Sequence, residues 1–215
     1  MEARTTNETL LAHVLGETPP SDALSEQILD AAREQFVTFG LRRSTVDDVA
    51  KRARVSRVTV YRRIGNKDSL VSACLLREYR RFVMEVDDAV AALPTTEDRL
   101  VEGFVAVLGH LREHPLIGGL LRLEPEIMLP FLTLESGPAF LAIRDYLADR
   151  LLHASRAEGR PVSDPTPVAE LMVRITVSFL LNPVSSFELD DDTQVRAFAR
   201  CYLVPLLTAA QQTAG

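Results

Sequence analysis

Six cations, Arg52, Arg54, Arg57, Arg62, Arg63 and Lys67, precede the first carboxylate, Asp68, in the stretch RARVSRVTVYRRIGNKDSL. Groups crowded this way suit a polyanion. A guanidinium offers a rigid fork of donors that matches a phosphate or a guanine edge, whereas an ammonium acts as a point charge. Residues 42–67 together hold nine cations, the six above with Arg42, Arg43 and Lys51, against two acids, Asp47 and Asp48, or +7. The rest of the chain holds 15 cations against 28 acids, or −13, for a net charge of −6. A basic face on an acidic body attracts a polyanion through its local field, whatever the net charge.

Short helices are the elements that would aim these charges. A break at Gly16, Pro19 and Pro20 closes an N-terminal arm over residues 1–20. Ser21 or Asp22 then caps a helix whose Leu24, Ile28, Ala32, Phe36 and Phe39 share one face and which Gly40 stops. Ser44 or Thr45, with Asp47 or Asp48 in the first turn, caps a second helix that points Val46, Val49 and Ala50 inward. Ser56 caps a third, buried through Val60 and Ile64, with Val58 and Arg62 on its outer side and Thr59 and Tyr61 on the flanks. A longer helix follows from about residue 67 to 93. Two short helices joined by a tight turn, the second capped and basic, form a helix-turn-helix, whose second helix fits the major groove of duplex DNA. Arg42, Arg43, Ser44, Thr45, Tyr61 and Lys67 are placed to hold phosphates, which sets register without reading sequence. Arg54, Ser56, Arg57, Val58, Thr59, Arg62 and Arg63 complete the DNA-facing set. Arg57 and Arg63 are assigned to base edges and Val58 to a thymine methyl. A merely solvated helix face is the alternative, but such faces are seldom so one-signed beside a capped turn.

Other chemistries find less support. At 215 residues, 47% hydrophobic and 25% charged, the composition is that of a folded soluble protein. No apolar run reaches the length of a membrane span, and the N-terminus has no secretion signal, so a cytoplasmic location is expected. Cys74 and Cys201 are far apart and read as free buried thiols of a reducing compartment. No nucleophile elbow, phosphate-cradling glycine loop or carboxylate dyad is present, which speaks against an enzyme and against a cofactor. His110 and His114 have the spacing of two metal ligands on one helix, with Glu113 or Glu124 as a third only by guess. Two cations at a helix end before Pro115 is the plainer reading, so no metal is assigned. His13 and His153 read as surface residues, and the run ELDDD, residues 188–192, as a solvated loop or helix start.

Past residue 93 the pattern stays helical, with breaks at Pro115, Pro125 and Pro130, then at Gly159 and Pro161, and at Asn182 and Pro183. In VAELMVRITVSFLL, Val168, Met172, Ile175 and Phe179 lie on one side and Val173, Val177 and Leu180 on nearly the opposite one. The last helix places Val195, Phe198, Tyr202 and Leu206 on one side and Leu203, Val204 and Leu207 on another. Helices apolar on two sides are buried from two directions, either within one chain or against a partner. We assign Val173, Val177, Leu180, Leu203, Val204 and Leu207 to the interface of a C2 homodimer.

The order ILDAAREQF, FG, STVDDVAKRARVSRVTVYRRIGNKDSL resembles the N-terminal domain of TetR-family transcriptional regulators over residues 25–71. The agreeing positions are Ala31, Ala32, Phe36, Gly40, Thr45, Val46, Val49, Ala50, Val55, Ser56, Thr59, Tyr61, Lys67 and Leu70. Arg54 and Val58 stand where the family commonly has glycine, and Ile64 where an aromatic is common. The resemblance implies an all-α chain: a three-helix helix-turn-helix domain over residues 21–66, then a larger helical ligand-binding and dimerisation domain over 67–215. It implies a homodimer on a palindromic operator, usually a repressor, released when a small-molecule effector enters the second domain. Candidate pocket residues are Phe104, Leu108, Phe140 and Leu147, with Arg144 as an anchor, and such a lining suits a lipid-like or aromatic effector. A vestigial reader on a small-molecule or metal-binding helical protein, an activator, and an effector-independent regulator are the other readings.

Overall fold

A computed structural model describes residues 22–124, 126, 129, 137–182 and 184–212. The arm over residues 1–20, with His13, and Pro125, Pro130 and Pro183 lie outside the described residues. Within them every regular element is helical. The chain forms two compact units, residues 1–82 with 114–136, and residues 83–113 with 137–215.

The first unit is built from local caps. Asp22 begins α1 (Ala23–Arg43) by accepting the Ser25 N–H at 2.7 Å. Ile28, Ala32 and Phe36 are buried as the spacing predicts, but Phe39 is 49% exposed. Gly40, at φ 79° and ψ 170°, breaks the helical phase there, and the buried stripe passes to Leu41 in a last turn beyond the kink. Thr45 caps α2 (Val46–Arg52) in a reciprocal box with Asp48. Ser56 caps α3 (Arg57–Arg63) by accepting the Thr59 N–H at 3.0 Å. Between them Arg54 takes φ 53°, a left-handed conformation that explains why glycine is common at this turn. Asn66 caps α4 (Lys67–Ala91), accepting the Ser69 N–H at 2.9 Å. Ile28, Phe36, Val49, Val60, Leu70 and Cys74 form the core, and Leu116 and Leu120, beside and within α6 (Ile117–Leu123), complete it. A buried carboxylate, Glu78, holds Arg33 at 2.7 Å, His114 and Arg81 at 3.4 Å and Arg77 at 3.5 Å. Burial pushes the Cys74 thiol up to about 12, so it stays protonated and inert.

The second unit packs α5 (Thr96–Glu113), α7 (Gly137–Ala157), α8 (Thr166–Leu181), α9 (Asp192–Phe198) and α10 (Val204–Gln212) around Leu100, Phe104, Leu108, Met172, Phe198 and Leu203. A single π-helical turn, Ala199–Leu203, joins α9 to α10. Pro205 accounts for it: proline has no N–H to give the carbonyl four residues back and its ring presses on that carbonyl. The Val204 N–H instead reaches Ala199 O, one residue further than in an α-helix. Cys201 is exposed, correcting the expectation of two buried thiols.

Candidate nucleic-acid interface

Val60 anchors α3 with 0% exposure, and Val58, on the opposite side, is 65% exposed. Arg57, Tyr61, Arg62 and Arg63 are also exposed, and Thr59 is half-buried. The exposed side of the third helix therefore carries Val58 and Arg62, as the helical projection predicts, and with them a phenol and two further guanidiniums.

The guanidiniums are not equivalent. Arg57 sits over the Tyr61 ring at 5.3 Å, donates to its hydroxyl at 3.2 Å and pairs with Asp47 at 3.3 Å. The Tyr61 hydroxyl first, and Asp47 second, raise its already high pKa. Arg63 pairs with Asp22, Arg42 with Glu126 at 3.0 Å, and Lys67 donates to the Arg42 carbonyl at 3.3 Å. Among the described residues Arg43, Arg54 and Arg62 have no carboxylate partner and are exposed. Exposed ion pairs contribute little, so Arg42, Arg57 and Arg63 are held only weakly by their carboxylates.

One hydroxyl differs from its expected role. Ser44 is 0% exposed and donates to Gly40 O at 2.6 Å, so its side chain is a structural brace and cannot reach a phosphate. Thr45 and Ser56 are exposed but occupied by capping, with Thr45 donating to Asp48 at 2.6 Å and Ser56 bonded to Thr59 at 2.8 Å. Sequence reasoning also missed Asp22, Asp47 and Glu126 as partners of the basic face, since no local spacing couples residues so far apart in the chain.

In the second unit the expected pocket residues disperse. Phe104 and Leu108 are core, with Phe104 stacked on Phe198 at 5.8 Å. Phe140 lies under the Arg174 guanidinium at 4.7 Å, Leu147 packs against the core, and Arg144 is engaged by Asp145 at 2.6 Å. A cavity of about 550 Å³ opens instead between apolar side chains, among them Leu108, Phe179 and Phe187, and an acidic edge of Glu188, Asp190 and Asp191 that holds Arg112. Of the five expected residues only Leu108 lines it. The expected dimer residues change places too. Leu203 and Leu207 are 0% exposed within their own chain and Val173 is also buried, so these three cannot face a partner. Val177, Leu180 and Val204 are half-buried, while Leu171 and Tyr202 are exposed, Tyr202 at 51%. His110 turns to Glu85 at 3.2 Å and His114 to Glu78 at 3.4 Å. Among the described residues no group of three acidic, histidine or cysteine side chains could hold a metal ion, and no helix is long and apolar enough to cross a membrane.

Residues 28–74 match the family described as "Bacterial regulatory proteins, tetR family". An uncharacterized HTH-type transcriptional regulator of Mycobacterium bovis, Mb2274c, is 31% identical over 156 residues, 71% of this chain and 77% of its own. The crystal structure of the TetR family repressor AlkX from a Dietzia strain, implicated in biodegradation of n-alkanes, superposes with a TM-score of 0.60 at 24% identity, covering 90% of this chain and all of that one. The regulator FadR of Bacillus subtilis, in complex with stearoyl-CoA, superposes with a TM-score of 0.57 at 18% identity over 85% of this chain and 97% of its own.

Proposed function

Because the chain belongs to the TetR family of bacterial regulatory proteins, we propose that it is a homodimeric repressor that binds a palindromic operator and releases it on binding an apolar effector. The observation that carries this reading is the outer face of α3, where Val58, Tyr61 and Arg62 are exposed opposite a wholly buried Val60. One such face grips DNA weakly. Two, about 34–36 Å apart, engage successive major grooves on one side of the duplex. Arg62, with Arg57 and Arg63, reads base edges, and Arg42, Arg43, Thr45, Tyr61 and Lys67 hold the backbone.

The second chain is met through Leu171, Val177, Tyr202 and Val204, four of the apolar positions of α8 and the last helical stretch that their own core leaves at least partly open. The effector occupies the cavity of about 550 Å³, whose Leu and Phe side chains suit a long hydrocarbon chain, while Arg112 at its edge is held by Asp190 and Asp192. Relatives of this fold described with n-alkanes and with stearoyl-CoA support that class. An effector shifts the DNA equilibrium only by its differential affinity for the two states, about 1–3 kcal/mol in common cases.

Selection from a random duplex library tests the reading: an inverted repeat is expected. Stearic acid or stearoyl-CoA is expected to raise the melting temperature and release that duplex, while coenzyme A alone does neither. A library from which no sequence is enriched would refute the regulator. Release by polar compounds only would refute the effector class.

A further inference from the structure

Two backbone donors follow the break at Gly40, the N–H groups of Leu41 and Arg42. Leu41 is buried, and a buried N–H without a partner is costly. A carboxylate from far along the chain meets both. Glu124 is buried at the C-terminal end of α6, where its own N–H bonds to Leu120 O at 2.8 Å. Its Oε2 accepts the Leu41 N–H at 2.7 Å and its Oε1 accepts the Arg42 N–H at 3.0 Å. The approach is close enough that a Cβ on residue 40 would lie 2.7 Å from Oε1. Glycine is thus required there twice, for its φ of 79° and for the carboxylate. The other side of the same turn is held as well. Lys67 donates to Arg42 O at 3.3 Å, and Ser44 donates to Gly40 O at 2.6 Å and, through its N–H, to Leu41 O at 3.4 Å.

The clamped turn carries Arg42 and Arg43 and runs directly into Thr45, the cap of α2. Charge-assisted bonds to a carboxylate are short and strong, and one carboxylate serving two adjacent N–H groups fixes direction as well as distance. We infer that Glu124 is a positioning residue for DNA binding: it touches no DNA, and it sets where Arg42 and Arg43 meet the phosphate backbone. Glu126, two residues on, has the opposite relation to the site. Its exposed pair with Arg42 at 3.0 Å competes with phosphate instead of supporting it. The inference rests on the DNA-binding reading above.

The test uses the full chain, the duplex it selects from a random library, and anisotropy titrations across a range of salt. Glu124→Gln keeps the shape but turns one acceptor into a donor facing an N–H. It is expected to raise Kd roughly 10-fold at moderate salt and to lower the slope of log Kd against log salt by about 1–2, as one or two phosphate contacts are lost. Glu126→Gln is expected to bind as well as wild type or better. In an Arg42→Ala/Arg43→Ala background, Glu124→Gln is expected to add nothing. A Glu124→Gln protein that melts earlier but binds with wild-type Kd and slope would overturn the positioning role, leaving the regulator reading intact. Should the variant not fold, amide exchange on the wild type decides: slow exchange at Leu41 and Arg42 supports the clamp, and fast exchange at both overturns it. A wild type that binds no duplex overturns the reading and the inference together.

Discussion

The two compact units bury different kinds of groups. In the first, Gln35, Ser44, Arg77, Glu78, His114 and Glu124 are buried polar or charged side chains. In the second, the buried polar side chains among the described residues are Thr96 and Ser155, and the centre is a stack of rings in which Phe198 meets Phe104, Phe179, Phe187 and Tyr202. Hydrogen-bonded charges accept one geometry or fail, whereas an apolar core tolerates rearrangement if its volume is kept. The difference matches the roles proposed for the units. A reader that must present guanidiniums at fixed positions gains from rigid partners, and a pocket that adapts to a hydrocarbon gains from their absence.

Breaking that contrast has a largest expected effect at Glu78. Glu78→Ala leaves Arg33, Arg77 and His114 facing an empty site, and denaturant unfolding is expected to show a loss of about 3–5 kcal/mol. Phe104→Leu, a comparable intrusion into the other core, is expected to cost less than about 1.5 kcal/mol because rings and aliphatic chains repack there. Equal losses would mean that the two cores do not differ in tolerance.

A smaller effect sharpens the reader. Arg54→Gly relieves a left-handed residue and is expected to stabilise the fold by about 0.5–1 kcal/mol. The same change removes an exposed cation, so DNA affinity is expected to fall while the melting temperature rises. A single direction for both would put Arg54 outside the interface.

The smallest effect concerns acid, and it is shared by the units. The Thr45 hydroxyl and N–H hold Asp48 below its ordinary 3.8, and the Arg196 guanidinium holds Glu102 below its ordinary 4.5. Groups with folded values below their unfolded ones contribute stability that is present above the unfolded value and lost as pH falls through the folded one. The melting temperature is therefore expected to drop between about pH 5 and pH 3. Thr45→Ala should shrink that drop while costing about 1 kcal/mol through the lost cap.

What could be read from the order of residues was what local chemistry decides. Thr45 and Ser56 are caps because a hydroxyl serves an N–H three residues on, and Val60 is buried while Val58 is not because a helix repeats at 3.6. Longer-range facts stayed hidden. Phe39 fits the α1 stripe until Gly40 bends the chain. Ser44 reads as a surface hydroxyl until Gly40 O captures it. Leu203 and Leu207 read as a second face until the π-helical turn rotates them into their own core. Glu124 reached the sequence reading only as a guessed metal ligand. Its partners lie 82 and 83 residues earlier, beyond any spacing rule.

The central claim is that the exposed guanidinium side of α3 reads DNA, and Arg62 tests it most directly, being exposed and without a carboxylate partner among the described residues. Titrate wild type, Arg62→Ala and Lys67→Ala against the selected duplex and a scrambled one of equal composition. The account predicts that Arg62→Ala loses about 1–3 kcal/mol of preference for the selected sequence, while Lys67→Ala weakens both duplexes alike and lowers the salt slope by about one. An Arg62→Ala protein that keeps its full preference would contradict it.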